Sequence, residues 1–273
     1  MAHSARRSTV PADPLTAVFW ATAFTFSMTT VGAAFVLFLK RPTGKAVQSI
    51  TLGFAAGIML AAGVWSLLIP AIDSAQKAGT PGWIPAAGGF VLGALFLGLL
   101  DKLLPHQHPD SETPEGPATD LDRTTLLALA VTLHNIPEGM SVGLTFAVAA
   151  LSGDPGTYSA AAALALGIGI QNIPEGTAVA LPLRSCGLSR WKAFAGGTLS
   201  GLVEPVFGLL TVAVVGVITP FMPWLLAFAA GAMFYVVVEE LIPAAHLDSH
   251  SDSGTLAVLA GFIVMMVLDT ALG

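Results

Sequence analysis

The chain has 273 residues, 54% of them hydrophobic and only 10% charged, with mean hydropathy +0.78 and a formal net charge of −6. A soluble domain carries about 25% charged residues, so an ordinary soluble fold is excluded, and the negative balance argues against a nucleic-acid partner. The single cysteine, Cys186, excludes an internal disulfide and a zinc cluster built on cysteine.

What remains is an all-α membrane protein, read as one polytopic domain over residues 1–273. Apolar segments over 15–39, 48–72, 83–104, 124–150, 157–183, 191–217, 221–245 and 254–272 predict eight transmembrane helices. Most are long enough to cross about 30 Å of hydrocarbon with some tilt. Arg6 and Arg7 precede span 1 without a small-residue cleavage pattern, so that span is expected to be retained. Eight of the eleven Lys and Arg residues fall in alternate loops. By the positive-inside rule those loops are cytoplasmic and both termini lie outside.

Span 1 carries Thr22, Thr25, Thr29 and Thr30, whose hydroxyls could bond other helices or merely their own backbone. Span 2 holds Gly53 and Gly57, a small-residue pair that predicts close helix packing, and Met59, which on chemistry alone is core filler. Asp73 lies near its end. Span 3 repeats the packing signal with Gly88, Gly89, Gly93 and Gly98 and exits through Asp101 and Lys102. The acidic, Pro-rich stretch 105–122 is expected to be a flexible cytoplasmic loop. Its His106 and His108 could collect metal, although a solvated linker is the plainer reading.

Spans 4 and 5 carry the chemistry. His134-Asn135-Ile136-Pro137-Glu138-Gly139 lies in the middle of one and Gln171-Asn172-Ile173-Pro174-Glu175-Gly176 in the middle of the next. Ionisable groups at that depth are costly and usually mark a pathway or a site. His134 and Glu138 are four apart and share a helix face, as do Gln171 and Glu175. Imidazole and carboxylate are good ligands for zinc and similar cations. Pro137 and Pro174 are expected to disturb their helices and expose carbonyls, which is tolerated only inside protein or along a cavity.

Span 6 adds Glu204 beside Pro205, either a buried acid satisfied by a Ser or Thr or a third metal ligand. Its company of two other carboxylates and a histidine favours the metal. Span 7 contains Met233, Glu239 and Glu240. The last loop holds His246 and His250, and span 8 ends at Asp269. Phe54-Ala55-Ala56-Gly57 with Met59 recurs as Phe228-Ala229-Ala230-Gly231 with Met233, and Leu68-Ile69-Pro70 as Leu241-Ile242-Pro243 after a one-residue slip. Leu100-Asp101 echoes Leu268-Asp269. Spans 1–3 and 6–8 are therefore expected to form an inverted repeat flanking spans 4–5, a recurring transporter design.

The two Ile-Pro-Glu-Gly stretches, with Gly201-Leu202-Val203-Glu204-Pro205, resemble the ZIP (Zrt/Irt-like) metal transporters, and most of all their bacterial branch. The resemblance implies uptake of zinc, or of cadmium, iron or manganese, toward the cytoplasm, with the ion as substrate and no organic cofactor. It implies a first metal position on His134, Glu138, Gln171 and Glu175 with Met59. It implies a second on Asn135, Asn172 and Glu204, bridged by Glu138 and Glu175. Asn172 departs from the pattern, because some relatives carry Asp there. Spans 1, 4, 5 and 6 would slide against spans 2, 3, 7 and 8, within a homodimer in the bacterial inner membrane. Two other classes compete. A proton-coupled solute carrier could use the same carboxylates. An intramembrane metalloenzyme would need a His-Glu-x-x-His arrangement that the chain lacks.

Overall fold

A computed structural model of the chain describes residues 14–38, 45–105, 117, 123–214, 219–245 and 252–272. The loop histidines His106, His108, His246 and His250 lie outside the described residues, as does nearly all of the 105–122 loop.

Apolar sequence without strand-like alternation folds here as helix after helix. In chain order these are α1 (Pro14–Phe38), α2 (Lys45–Ala62), α3 (Ile69–Lys77), α4 (Trp83–Leu103), α5 (Arg123–Ser152) and α6 (Pro155–Ser185). They continue as α7 (Arg190–Ser200), α8 (Val203–Ala213), α9 (Met222–Val236), α10 (Ile242–Ala245) and α11 (Ser253–Leu272). Joined end to end, they make eight rods over the eight expected spans. Among the described residues, six rods are long and apolar enough to cross a membrane: Pro14–Phe38, Ser49–Lys77, Trp83–Leu103, Arg190–Ala213, Met222–Leu241 and Ser253–Ala271. The remaining two, α5 and α6, are the longest helices and carry the motifs. Their polar residues lower their apolarity, and their neighbours bury them; Val142, Leu144, Ala147, Leu164 and Ile168 are at most 1% exposed. The outward faces of the other rods are apolar, with Leu95 and Leu99 on α4 and Leu256 and Ile263 on α11 exposed. Such faces suit lipid, and the chain is a multi-pass membrane protein.

Two bundles emerge from the packing. One gathers α1, α5, α6, α7 and α8; the other gathers α2, α4, α9 and α11. They meet where α2 lies on α6 and α9 on α5. Glycine makes the tight crossings of the second bundle. A Cβ on Gly57 would fall 2.6 Å from the Phe262 nitrogen, and one on Gly93 would fall 2.7 Å from the Phe228 carbonyl carbon. Gly261 in turn sits on the backbone of Phe54, and Gly231 on that of Phe90. The packing faces expected at Gly53, Gly57, Gly88, Gly89, Gly93 and Gly98 are all used, the first two against α11 and the other four against α9.

Between α2 and α3 the chain makes a π-turn over Gly63–Leu68, and between α9 and α10 another over Val237–Leu241. The cause lies just downstream. Pro70 and Pro243 cannot donate to the chain, and each ring crowds the carbonyl four residues back. The preceding residue reaches one further instead: Ile69 N–H bonds Val64 O, and Ile242 N–H bonds Val237 O. The first turn has six residues and the second five. The one-residue slip between the sequence repeats is thus absorbed within the two π-turns.

Candidate metal pathway

The site begins with a broken helix. Pro205 removes the N–H that would bond Gly201 O, and its ring crowds that carbonyl. The rod accordingly stops at Ser200 and restarts at Val203. Bonds spanning three residues close the gap, from Gly201 N to Thr198 O, Leu202 N to Leu199 O and Glu204 N to Gly201 O. Because Glu204 N turns to Gly201, the Ser200 carbonyl loses its helical donor. Asn135 Nδ2 of α5 donates to that carbonyl at 2.9 Å. Glu204 falls in the first turn of α8, where the helix dipole favours a negative charge. Pro137 and Pro174, expected to disturb their helices, lie inside α5 and α6, which run on through both. The interruption is at the third proline.

The motif glycines explain how these helices come together. Gly139 seats α5 on the backbone of Glu204, and Gly176 seats α6 on the backbone of Thr29 in α1. One turn along α5, Gly143 lies against Gly208 of α8. Glu138, Gln171, Asn172 and Glu204 are all fully buried as a result, and Asn135 is 1% exposed.

Within this core the polar side chains pair as carboxylate with amide. Gln171 Nε2 donates to Glu138 Oε1 at 2.7 Å. Asn172 Nδ2 donates to Glu204 Oε1 at 2.9 Å and to its Oε2 at 3.0 Å, and also to the backbone oxygen of Thr25 at 3.2 Å. Thr29 Oγ1 adds a bond to Glu204 Oε1 at 3.3 Å. Three acceptors of this core are buried without a partner among the described residues: Glu138 Oε2, Gln171 Oε1 and Asn172 Oδ1. An unpaired buried acceptor is expensive, so a cation or water is the natural complement. Glu175, one turn after Gln171, is half-buried. Its carboxylate interacts electrostatically with Glu204 and Glu240, and Glu138 with Glu175 and Glu204.

Of the expected ligands, the structure joins Glu138 to Gln171 and Asn172 to Glu204, and ties Asn135 to the helix break. Met59 is buried on α2, the helix that lies on α6, and among the described residues no hydrogen bond links its sulfur to the motif. The His134 backbone lies in α5, but its imidazole is outside the described residues. Among the described residues no three His, Cys, Asp or Glu side chains form a group that could hold an ion. The described donor set is mixed carboxylate and amide instead.

Sequence reasoning left Thr29 undecided between its own backbone and other helices; it does both, bonding Thr25 O and Glu204. The signal was spacing. Thr22, Thr25 and Thr29 follow three and four apart and form one buried stripe on an otherwise apolar helix. The sequence places Glu240 only near the end of a span. It lines a small cleft with Leu97, Asp101, Leu133, Tyr235 and Val236.

Comparison with known proteins places these features in a family. A profile described as ZIP Zinc transporter matches residues 105–269. The human zinc transporter ZIP11 is 37% identical over 330 residues, spanning 92% of this chain and 96% of that protein. Zinc transporter ZIPB of Bordetella bronchiseptica is 39% identical over 253 residues, spanning 91% and 79%. Zinc transporter ZupT of Salmonella arizonae is 34% identical over 258 residues, spanning 92% and 94%. These relatives are named as transporters and not as enzymes. The chain belongs to the ZIP family of membrane transporters.

Proposed function

We propose that this chain carries divalent metal ions, zinc foremost, across a bacterial inner membrane into the cytoplasm. Glu138, Gln171, Glu175 and His134 hold the ion, with Met59 as a softer contact. Asn135, Asn172 and Glu204 bound the adjoining position. Cadmium, iron and manganese suit the same oxygen-rich donor set, which has no thiolate.

The observation that carries this reading is the pair of orphaned oxygens, Glu138 Oε2 and Gln171 Oε1, on two residues already bonded to each other. A cation on that side meets a carboxylate oxygen and an amide oxygen without breaking the hydrogen bond that aligns them. Carboxylates that repel one another across this core relax when a divalent ion neutralises them. Neutral amides soften the grip, so the ion can leave again.

The two-bundle packing supports a sliding mechanism. The bundle of α1 and α5–α8 carries every one of these ligands except Met59. It meets the other bundle only through α2 on α6, α9 on α5 and lesser contacts. We read it as the moving element of an elevator, with the α2, α4, α9 and α11 bundle as the static wall and as one half of a homodimer. Reciprocal glycine crossings, α2 with α11 and α9 with α4, and the matched π-turns support an inverted repeat in that wall. The charge bias of the loops supports both termini outside the cytoplasm.

Uptake into proteoliposomes loaded with a zinc-sensitive dye tests the proposal. Zinc influx through the native chain, lost in Glu138→Ala and Glu175→Ala variants that still insert normally, is the expected result. Full influx through either variant would overturn it.

A further inference from the structure

We infer that the position beside Glu204 is closed to a second cation: the Asn172 amide sits on the carboxylate where that ion would sit, and the chain carries one divalent ion at a time. This rests on the metal-transport reading and narrows it, because the resemblance implied two ions.

The geometry of a single atom is the starting point. Asn172 Nδ2 lies 2.9 Å from one oxygen of Glu204 and 3.0 Å from the other. A donor equidistant from both oxygens lies on the axis of the carboxylate, the approach a bidentate cation takes. Glu204 is fully buried, as Glu138 is, but both of its oxygens are already engaged. Thr29 Oγ1 takes further capacity on Oε1.

Turning the Asn172 amide over would expose the carboxylate only at a price. Its nitrogen also donates to Thr25 O at 3.2 Å. The reversed amide would set Oδ1 against both Glu204 oxygens and the Thr25 carbonyl, acceptor against acceptor. The third member of the set is held in orientation, since Asn135 Nδ2 donates to the Ser200 carbonyl freed by the helix break, which leaves its neutral oxygen alone to offer. Among the described residues, Asn172 Oδ1 is the acceptor on this side left without a partner. Once Glu204 is taken, this position keeps only neutral amide oxygens of its own, and the bridging carboxylates Glu138 and Glu175 are shared with the first ion.

The other half of the cluster has the opposite bookkeeping. Glu138 and Gln171 each keep a buried oxygen with no donor, whereas neither Glu204 oxygen is orphaned. Glu204 is therefore a positioning residue. It pins α8 to α6 through Asn172 and to α1 through Thr29, inside the bundle that carries the ion.

Equilibrium dialysis of the purified full chain in detergent against zinc, with metal and protein both quantified, reads the stoichiometry directly. One zinc per chain is expected for the native protein. Asn172→Asp, which removes the donor and adds a charge, is expected to hold two. X-ray absorption should then show a zinc–zinc distance of about 3.5–4 Å in that variant alone. Two ions on the native chain would overturn the inference, and so would one ion on a folded Asn172→Asp variant. If that variant does not fold, Glu204→Gln decides: it keeps the single ion when Glu204 only positions, and losing it would make Glu204 a ligand. A native chain that binds no zinc would sink the transport reading itself, a result distinct from binding two.

Discussion

Gly139 rests on the backbone of Glu204: a Cβ at this position would lie 2.6 Å from the Glu204 Cα. Two carboxylate-bearing helices approach this closely only because the residue after Glu138 has no side chain. The three nearest atoms are all Glu204 backbone, not the free end of a flexible side chain, so the neighbour cannot swing away. Gly139→Ala is expected to force α5 from α8 and to cost about 1–3 kcal/mol, the range for overpacking. A lowered thermal midpoint in detergent, with zinc uptake reduced in parallel, is the result to look for. An unchanged midpoint would mean that the helices are not held at this distance.

Ser66 Oγ donates to Asp269 Oδ1 at 2.6 Å and links the first π-turn to α11. Asp269 is 8% exposed, and its other oxygen has no partner. Ser66→Ala would strip the carboxylate of the only donor described for it. We expect a loss of about 1–3 kcal/mol, the usual penalty for a buried group left unsatisfied. Removing both partners tests the cause. The double variant Ser66→Ala, Asp269→Leu should recover most of the lost midpoint, because no polar group is then stranded. A double variant no better than the single one would show that packing, not the hydrogen bond, sets the cost.

Much of this was legible beforehand, for reasons that can be named. Eight rods follow from apolar length alone, and the glycines of α2 and α4 announced close crossings by their spacing. The motif residues stood out because polar groups are rare at that depth. The break at Pro205 was not singled out. Pro137 and Pro174 each cost one backbone bond, which a long helix held on several sides absorbs, whereas Pro205 follows Gly201 by four residues at a site with weak helix propensity. The π-turns left only a trace, the one-residue slip between repeats. Hydrogen bonds such as Asn172 to Glu204 depend on helix rotation, which no residue pattern specifies.

Asn135 Nδ2 acts on the helix break, which sets a structural role beside the ligand role. Asn135→Ala would leave the Ser200 carbonyl buried without a donor, at an expected cost of about 1–3 kcal/mol. Asn135→Asp keeps the size and offers two oxygens, but it cannot donate. A structural role predicts that both variants lose stability. A ligand role predicts that Asp is tolerated, or even tightens zinc binding. Thermal midpoints of the two variants, measured without metal, distinguish these cases.

Zinc itself should stabilise the fold through Glu138. An ion that binds only the folded state adds RT ln(1 + [L]/Kd), about 2.7 kcal/mol at one hundred times Kd. The native chain should therefore show a rising thermal midpoint as zinc is titrated. Glu138→Gln keeps the side-chain shape and a carbonyl oxygen for Gln171 but removes the charge, so the rise should disappear. Without metal this variant should unfold at or above the native midpoint, since a buried charge has been replaced by an amide. That opposite pair of effects, metal response lost while metal-free stability is kept, is what a transport ligand predicts. A variant that unfolded early and yet still responded to zinc would assign Glu138 to the scaffold and move the ion elsewhere.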